Sequence, residues 1–531
     1  MPIRRHVAAL LLASLIMLAG ASAARAQSDS VDLLIRGGTV VDGTGARARA
    51  ADVGIRGDKI VFVGNAARSR IHAARTIDAK GLIVAPGFID AHTHTDGDLT
   101  NMQRRSNLPY LMQGVTTVVT GNDGSSPLDI AKALDTWTRQ GIGTNAALFI
   151  GEGSVRGKVM GMSDGKPTSA QLDSMRTLVT HGMDDGALGM STGLYYAPGS
   201  YASTDEVIAL AKVAAEHGGI YDTHLRDESS YTVGLIGAVN EAIRIGREAH
   251  IPIHISHIKA LGTDVWGQSD TVIALIDHAR AEGVHVSACQ YPYTASGTSV
   301  GASLLPRWAE ADGRDSLLAR IADSATYARL VADMRNNLRR RGGAASLLIT
   351  GGRDSTIRGK TLAQVAQARH ASPIDAALEI IEAGDAGVAS FNMKESDIDH
   401  FMVQPWVMTC SDGSAGHPRK YGTFPKKLRE YVYRRHLLTL PQMVHVSSGL
   451  TAQTLGLQHR GTLAPGNYAD VIVFDPKTVS DRSTYEKPTL LAVGMRYVLV
   501  NGTLAVEGGK YTGALAGRAI RRESVSESAG Q

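Results

Sequence analysis

Two histidines one residue apart, His92 and His94, close the segment Pro86-Gly87-Phe88-Ile89-Asp90-Ala91-His92-Thr93-His94. On an extended strand, residues two apart share a face, so two neutral imidazoles could grip one metal ion. Two histidines making ordinary hydrogen bonds at a polar strand end would look the same, so the pair needs support from elsewhere in the chain. His224 ends the run before Leu225-Arg226, His257 ends the run before Ile258-Lys259, and Asp412 lies in Ser411-Asp412-Gly413. If one architecture gathers these strand ends, packing is a poor explanation for four histidines and an aspartate, and metal-assisted chemistry is a good one.

The middle of the chain offers that architecture. Eight short strand patterns occur at 88–92, 116–121, 146–150, 187–191, 219–224, 253–257, 284–289 and 406–410. Helical patterns separate most of them, for example at 205–217 and 233–249. Eight such units predict an α/β fold built on a (β/α)8 barrel over 85–454, whose chemistry sits at the C-terminal strand ends. The interval before the eighth strand is too long for one crossover, so an inserted subdomain is expected at about 298–358, at the barrel mouth. The arginine-rich stretch 335–341 within it reads as a solvated helix face.

Short strand patterns and Gly-Asp or Asn-Gly turns mark both flanks, which predicts one small β-sandwich domain made from 30–84 and 455–515. Residues 516–531 read as a frayed tail. At the other end, Arg4 and Arg5 precede an apolar run at 7–18, and Ala24-Arg25-Ala26 has the form of a cleavage site. Residues 1–26 therefore read as a secretory signal peptide, with a periplasmic or secreted destination and no membrane span after cleavage. That segment carries three of the arginines and no acid, so the formal charge of +4 falls to +1 without it. Such a balance gives no support to nucleic-acid binding. The two cysteines, Cys289 and Cys410, exclude a disulfide scaffold; a single bridge between them stays open, and two buried thiols are expected.

A set of ordered motifs points further: PGFIDAHTHTD at 86–96, GVTTVVTGNDG at 114–124, STGLYYAPG at 191–199, THLRDE at 223–228 and ISHIK at 255–259. YPYTASG at 291–297, SDG with HPRKYGTFP at 411–425, and GTLAPGNYADVIVFDP at 461–476 follow. Together they resemble the amidohydrolase superfamily, and within it the D-aminoacylases, or N-acyl-D-amino-acid deacylases. The resemblance implies one or two zinc ions, with His92 and His94 at one metal position and His224 and His257 at the other. Asp412 would be the general base, within reach of the metal. Lys259, Arg419, Tyr196 and Tyr293 match positions around the substrate's carboxylate and acyl carbonyl.

Two departures from the family pattern bear on the metal. Where D-aminoacylases carry Gly-Asn-Cys-Gly with a ligating cysteine, this chain has Gly121-Asn122-Asp123-Gly124. Where they carry Gly-His-Gly, it has Gly151-Glu152-Gly153. Asp123 is the first candidate for the missing ligand and Glu152 the second, and either could instead orient a histidine from behind. The expected activity is hydrolysis of an N-acyl-D-amino acid. The alternatives are a periplasmic metallodipeptidase acting on D-residue or unusual dipeptides, and a non-catalytic barrel scaffold. A small-molecule substrate is the expected partner, and oligomeric state is not legible.

Overall fold

The structure, a computed structural model, describes residues 30–523. The signal peptide read at 1–26 lies outside the described residues.

The barrel strands are Phe88–Asp90, Val115–Thr120, Asn145–Leu148 continued by Ile150–Gly151, Gly189–Gly193, Ile220–His224, Ile253–Ile255, Val286–Gln290 and Val407–Thr409. All neighbouring ladders among them are parallel. The ring closes where Thr93 bridges Gly413 and the Asp412 N–H donates to the His92 carbonyl at 3.0 Å. Closure therefore falls between the strand ends that carry His92 and Asp412. Outside, helices bury one stripe each. In Gly234–Ala249 the buried residues include Leu235, Ala238, Val239, Ala242, Ile245 and Ala249, the three-and-four spacing of an amphipathic helix.

Strands from both flanks of the barrel enter one nine-stranded sheet. They meet where Ile83–Pro86 pairs antiparallel with Val471–Phe474. A buried clasp fastens this sheet to the third barrel strand. Arg460 pairs with Asp470, and Asp470 also accepts from Asn145 Nδ2 at 3.1 Å and from the Asn501 N–H at 2.8 Å. Removing one member of a buried ion pair leaves the other charge unpaired, at a cost of about 3–5 kcal/mol. Asp470→Ala is expected to lower the urea-unfolding midpoint accordingly. An unchanged midpoint would mean that the clasp contributes nothing to stability.

Two expectations need correction. The tail read from 516 is bound at its start: Gly517 bridges Ile142, Ala519 bridges Ala146, and Arg518 reaches Asp58 at 2.7 Å. The inserted subdomain is also larger than 298–358. Its antiparallel sheet runs Ala295–Ser299, Gly387–Phe391, Leu347–Ile349, with five α-helices between Val300 and Glu382 packed on a core of their own. The second half was missed because its helices, Leu362–Ala368 and Pro373–Glu382, have the same pattern as barrel crossovers. Only Glu395–Met402, which packs against the seventh and eighth strands, serves as one. Among the described residues, no helix is long and apolar enough to cross a membrane.

Candidate metal centre

The histidines and Asp412 do converge, and Asp123 sits among them. Asp123 Oδ1 lies 3.5 Å from His92 Nε2, 3.6 Å from His224 Nδ1 and 3.4 Å from His257 Nε2. Its other oxygen is 3.5 Å from His94 Nε2, which is 3.2 Å from Asp412 Oδ1. Two overlapping groups result: His92, His94, Asp123 and Asp412, and Asp123, His224 and His257. Asp123 belongs to both.

His94 and Asp412 are within direct hydrogen-bond reach, as are His224 Nδ1 and His257 Nε2 at 2.9 Å, but the Asp123 spacings of 3.4–3.6 Å suit an ion better than direct hydrogen bonds. Donors about 2.0–2.2 Å from a tetrahedral metal stand roughly 3.3–3.6 Å from one another. Among the described residues neither ring nitrogen of His92 has a hydrogen-bond partner, nor has Asp123 Oδ1, and all three atoms are buried. Such orphaned polar atoms are costly unless something fills the space between them. The donor set, imidazole and carboxylate, is the chemistry that zinc and similar divalent ions accept.

Backbone geometry holds the donors in place. Asp123, His257 and Asp412 all adopt left-handed backbone, with φ of 55°, 32° and 48°. Non-glycine residues are uncommon there, and such strain concentrates at functional sites. The Asp123 turn is seated against Gly193, where a Cβ would stand 2.2 Å from the Asp123 carbonyl oxygen. Beneath the donors, Asp90 accepts from the Ser411 N–H at 2.9 Å, tying the first strand to the eighth. Asp222 accepts from Asn122 and Ser256 at 3.0 and 2.8 Å, tying the second, fifth and sixth. Burial raises both carboxyls to about 7.

Electrostatics separate the donors. Burial lowers His92 to about 4, so it is neutral and free to coordinate. Burial also opposes a charge on His94, but the Asp123 and Asp412 carboxylates outweigh it and raise that group to about 10, so His94 would release a proton on taking up a metal. Against the cost of its own burial, Asp123 is held well below the usual carboxylate range by His92, His257 and His224. Asp412 is likewise held down despite burial, chiefly by Arg419, whose Nη1 lies 2.8 Å from Oδ2.

Glu228 was not singled out from the sequence, although it lies in the THLRDE motif. Its Oε1 accepts from Lys259 Nζ and lies 3.2 Å from His257 Nδ1. Lys259 Nζ itself approaches the same ring nitrogen at 2.6 Å, so Glu228, Lys259 and His257 form one buried contact behind the donors.

The remaining candidates divide. Lys259, Arg419 and Tyr196 line a cavity of about 410 Å³ that opens beside the donors. Tyr293 does not. The chain turns at Pro292, with the Tyr293 N–H bonded to the Tyr291 carbonyl at 3.1 Å. The Tyr293 ring therefore packs on His417 and under Lys426, and Tyr291 takes the cavity wall. Glu152, the second ligand candidate, belongs to neither donor group. It opens the helix Glu152–Met160, fully buried, with its carboxyl raised to about 8 by burial and by Glu206. Cys289 and Cys410 are buried, unbridged thiols.

A (β/α)8 barrel with clustered imidazoles and carboxylates at its C-terminal strand ends defines a metal-dependent hydrolase. Comparison with known proteins narrows the class. The chain belongs to the amidohydrolase family, whose sequence model matches residues 75–506. It is 36% identical to a D-aminoacylase of Alcaligenes xylosoxydans xylosoxydans, covering 94% of this chain and 100% of that protein. It is 34% identical to an N-acyl-D-glutamate deacylase of the same organism, covering 89% and 93% respectively. The solved N-acyl-D-glutamate deacylase of Bordetella bronchiseptica, in complex with zinc and a phosphonate mimic of the tetrahedral intermediate, superposes with a TM-score of 0.80. That match has 32% identity and covers 93% of this chain and 100% of the other.

Proposed function

We propose that the protein is an exported zinc-dependent deacylase that hydrolyses the amide bond of N-acyl-D-amino acids. The observation that carries this reading is the placing of Asp412 and the imidazole–Asp123 cluster on the wall of the cavity that Lys259 and Arg419 also line. His92, His94, Asp123, His224 and His257 would hold the metal. Zinc supplies Lewis acidity toward water and toward an amide carbonyl.

The chain's own groups account for the proton and the orientation. Asp412, kept ionised by Arg419, accepts a proton from the attacking water and passes it to the departing nitrogen. A carbon–oxygen bond forms and the carbon–nitrogen bond breaks, giving a carboxylate and a free D-amino acid. Among the described residues Arg419 Nε has no hydrogen-bond partner, and Arg419 and Lys259 line the same cavity, where they can receive the substrate's α-carboxylate. The Tyr196 hydroxyl, which among the described residues hydrogen-bonds only to Thr298 Oγ1 at 3.4 Å, is available to the acyl carbonyl. Export is supported by the basic, apolar and Ala-Arg-Ala order of residues 1–26.

The test is turnover of N-acetyl-D-amino acids, their L-enantiomers and D-containing dipeptides, before and after metal is stripped and zinc restored. Turnover of the N-acetyl-D compounds should vanish on stripping and return with zinc. Full activity in the stripped protein would remove the metal from the reaction, and faster cleavage of dipeptides would replace the deacylase reading with a dipeptidase one.

A further inference from the structure

The inserted subdomain brings a third buried cation into the cavity. Arg341 follows the helix Ser324–Arg340, and it was expected on a solvated face with its neighbours. It is instead only 2% exposed and lines the cavity with Lys259 and Arg419. The helix end is pressed onto the rim. Gly262, in the loop after the sixth strand, packs so closely that a Cβ there would stand 2.4 Å from the Arg340 carbonyl oxygen. Arg339 meanwhile pairs with Asp264 in the same loop at 2.8 Å.

What sets Arg341 apart is its company. Lys259 is paired with Glu228, and Arg419 with Asp412. Among the described residues, Arg341 has no carboxylate within ion-pair distance. Its Nε donates to the Ser303 carbonyl at 3.2 Å and its Nη2 to the Tyr195 hydroxyl at 3.2 Å. The remaining edge meets the Asn392 amide. All three partners are neutral. Beside it, the Tyr231 hydroxyl is buried, makes no hydrogen bond of normal geometry among the described residues, interacts electrostatically with Arg341 and Tyr195, and belongs to a side chain lining the same cavity. A buried guanidinium without a counter-charge is expensive, and a ligand that brings the counter-charge recovers that cost on binding.

We propose that Arg341, with the Tyr231 hydroxyl beside it, is a specificity-determining subsite for a second carboxylate, on the side chain of the substrate's amino acid. This rests on the deacylase reading, in which Arg419 and Lys259 serve the α-carboxylate. The preferred substrates are then N-acylated acidic D-amino acids, and the inserted subdomain selects them by presenting one arginine.

Neutral isosteres give the cleanest test. The wild-type protein, loaded with zinc, is assayed on N-acetyl-D-glutamate against N-acetyl-D-glutamine, and on N-acetyl-D-aspartate against N-acetyl-D-asparagine. The acidic member of at least one pair should have the higher kcat/KM, by about 10–100-fold, the range expected of one charge-assisted hydrogen bond. Arg341→Met should collapse that ratio toward unity through the acidic substrate alone, and Arg341→Lys should restore part of it. Equal turnover within both wild-type pairs would overturn the subsite while leaving the deacylase reading intact. A fall common to acidic and neutral substrates in Arg341→Met would also overturn it, by assigning the residue to structure or to the α-carboxylate. No turnover of any of the four would remove the deacylase reading and this proposal with it.

Discussion

Asp412→Asn is expected to lower kcat/KM by about 10²–10⁴-fold, the usual contribution of a positioned general base, with metal still bound. The substitution is nearly isosteric, and asparagine tolerates the left-handed backbone at this position, where φ is 48°. What it removes is the ionised acceptor. An amide cannot take a proton from water at neutral pH, and it cannot pair with Arg419, whose Nη1 lies 2.8 Å from Asp412 Oδ2. Metal retention is the discriminating half of the prediction. Asp412 belongs to the group with His92 and His94, but the group of Asp123, His224 and His257 is complete without it. Elemental analysis should therefore find at least one ion per chain in the variant. Turnover within twofold of wild type would dismiss Asp412 as the base, and loss of all metal would make it primarily a ligand.

The barrel and its donors were legible because both depend on local pattern. A strand that is buried on both faces reads as an apolar run, and the chemistry at its end stands out by contrast. His92, His224, His257 and Asp412 each follow such a run, and ring closure needs only that the strands come in order. Residues whose placement depends on a turn or a docking event were not legible. Tyr291 and Tyr293 share one motif, and only the turn at Pro292 decides which of them reaches the cavity. Glu228 sits in a loop after the fifth strand, where a carboxylate has no periodic signature. Arg341 is one basic residue in a run of them, and its burial follows from the fit of a helix end against Gly262, some eighty residues away in sequence.

The missing ligand is the remaining point of contact between sequence and chemistry, and Asp123 and Glu152 give opposite expectations there. Asp123→Asn is expected to lose metal and nearly all activity. Asparagine keeps the shape and tolerates a φ of 55°, whereas alanine would add backbone strain of its own. The loss should therefore report the charge that three imidazole nitrogens approach at 3.4–3.6 Å. Removing a group that both donor sets share should weaken metal binding beyond the roughly 10–100-fold that follows loss of an outer partner. Asp123→Cys should recover much of the metal, since a thiolate is also a zinc ligand. Glu152→Gln should leave metal content unchanged. Burial and Glu206 hold that carboxyl at about 8, so it is already mostly neutral at pH 7, and it stands outside both donor groups. Metal lost from Glu152→Gln but kept by Asp123→Asn would reverse the assignment. It would place the ligand at the third strand end, where Glu152 is buried beside Gly199 and within the field of Arg156 and Arg226.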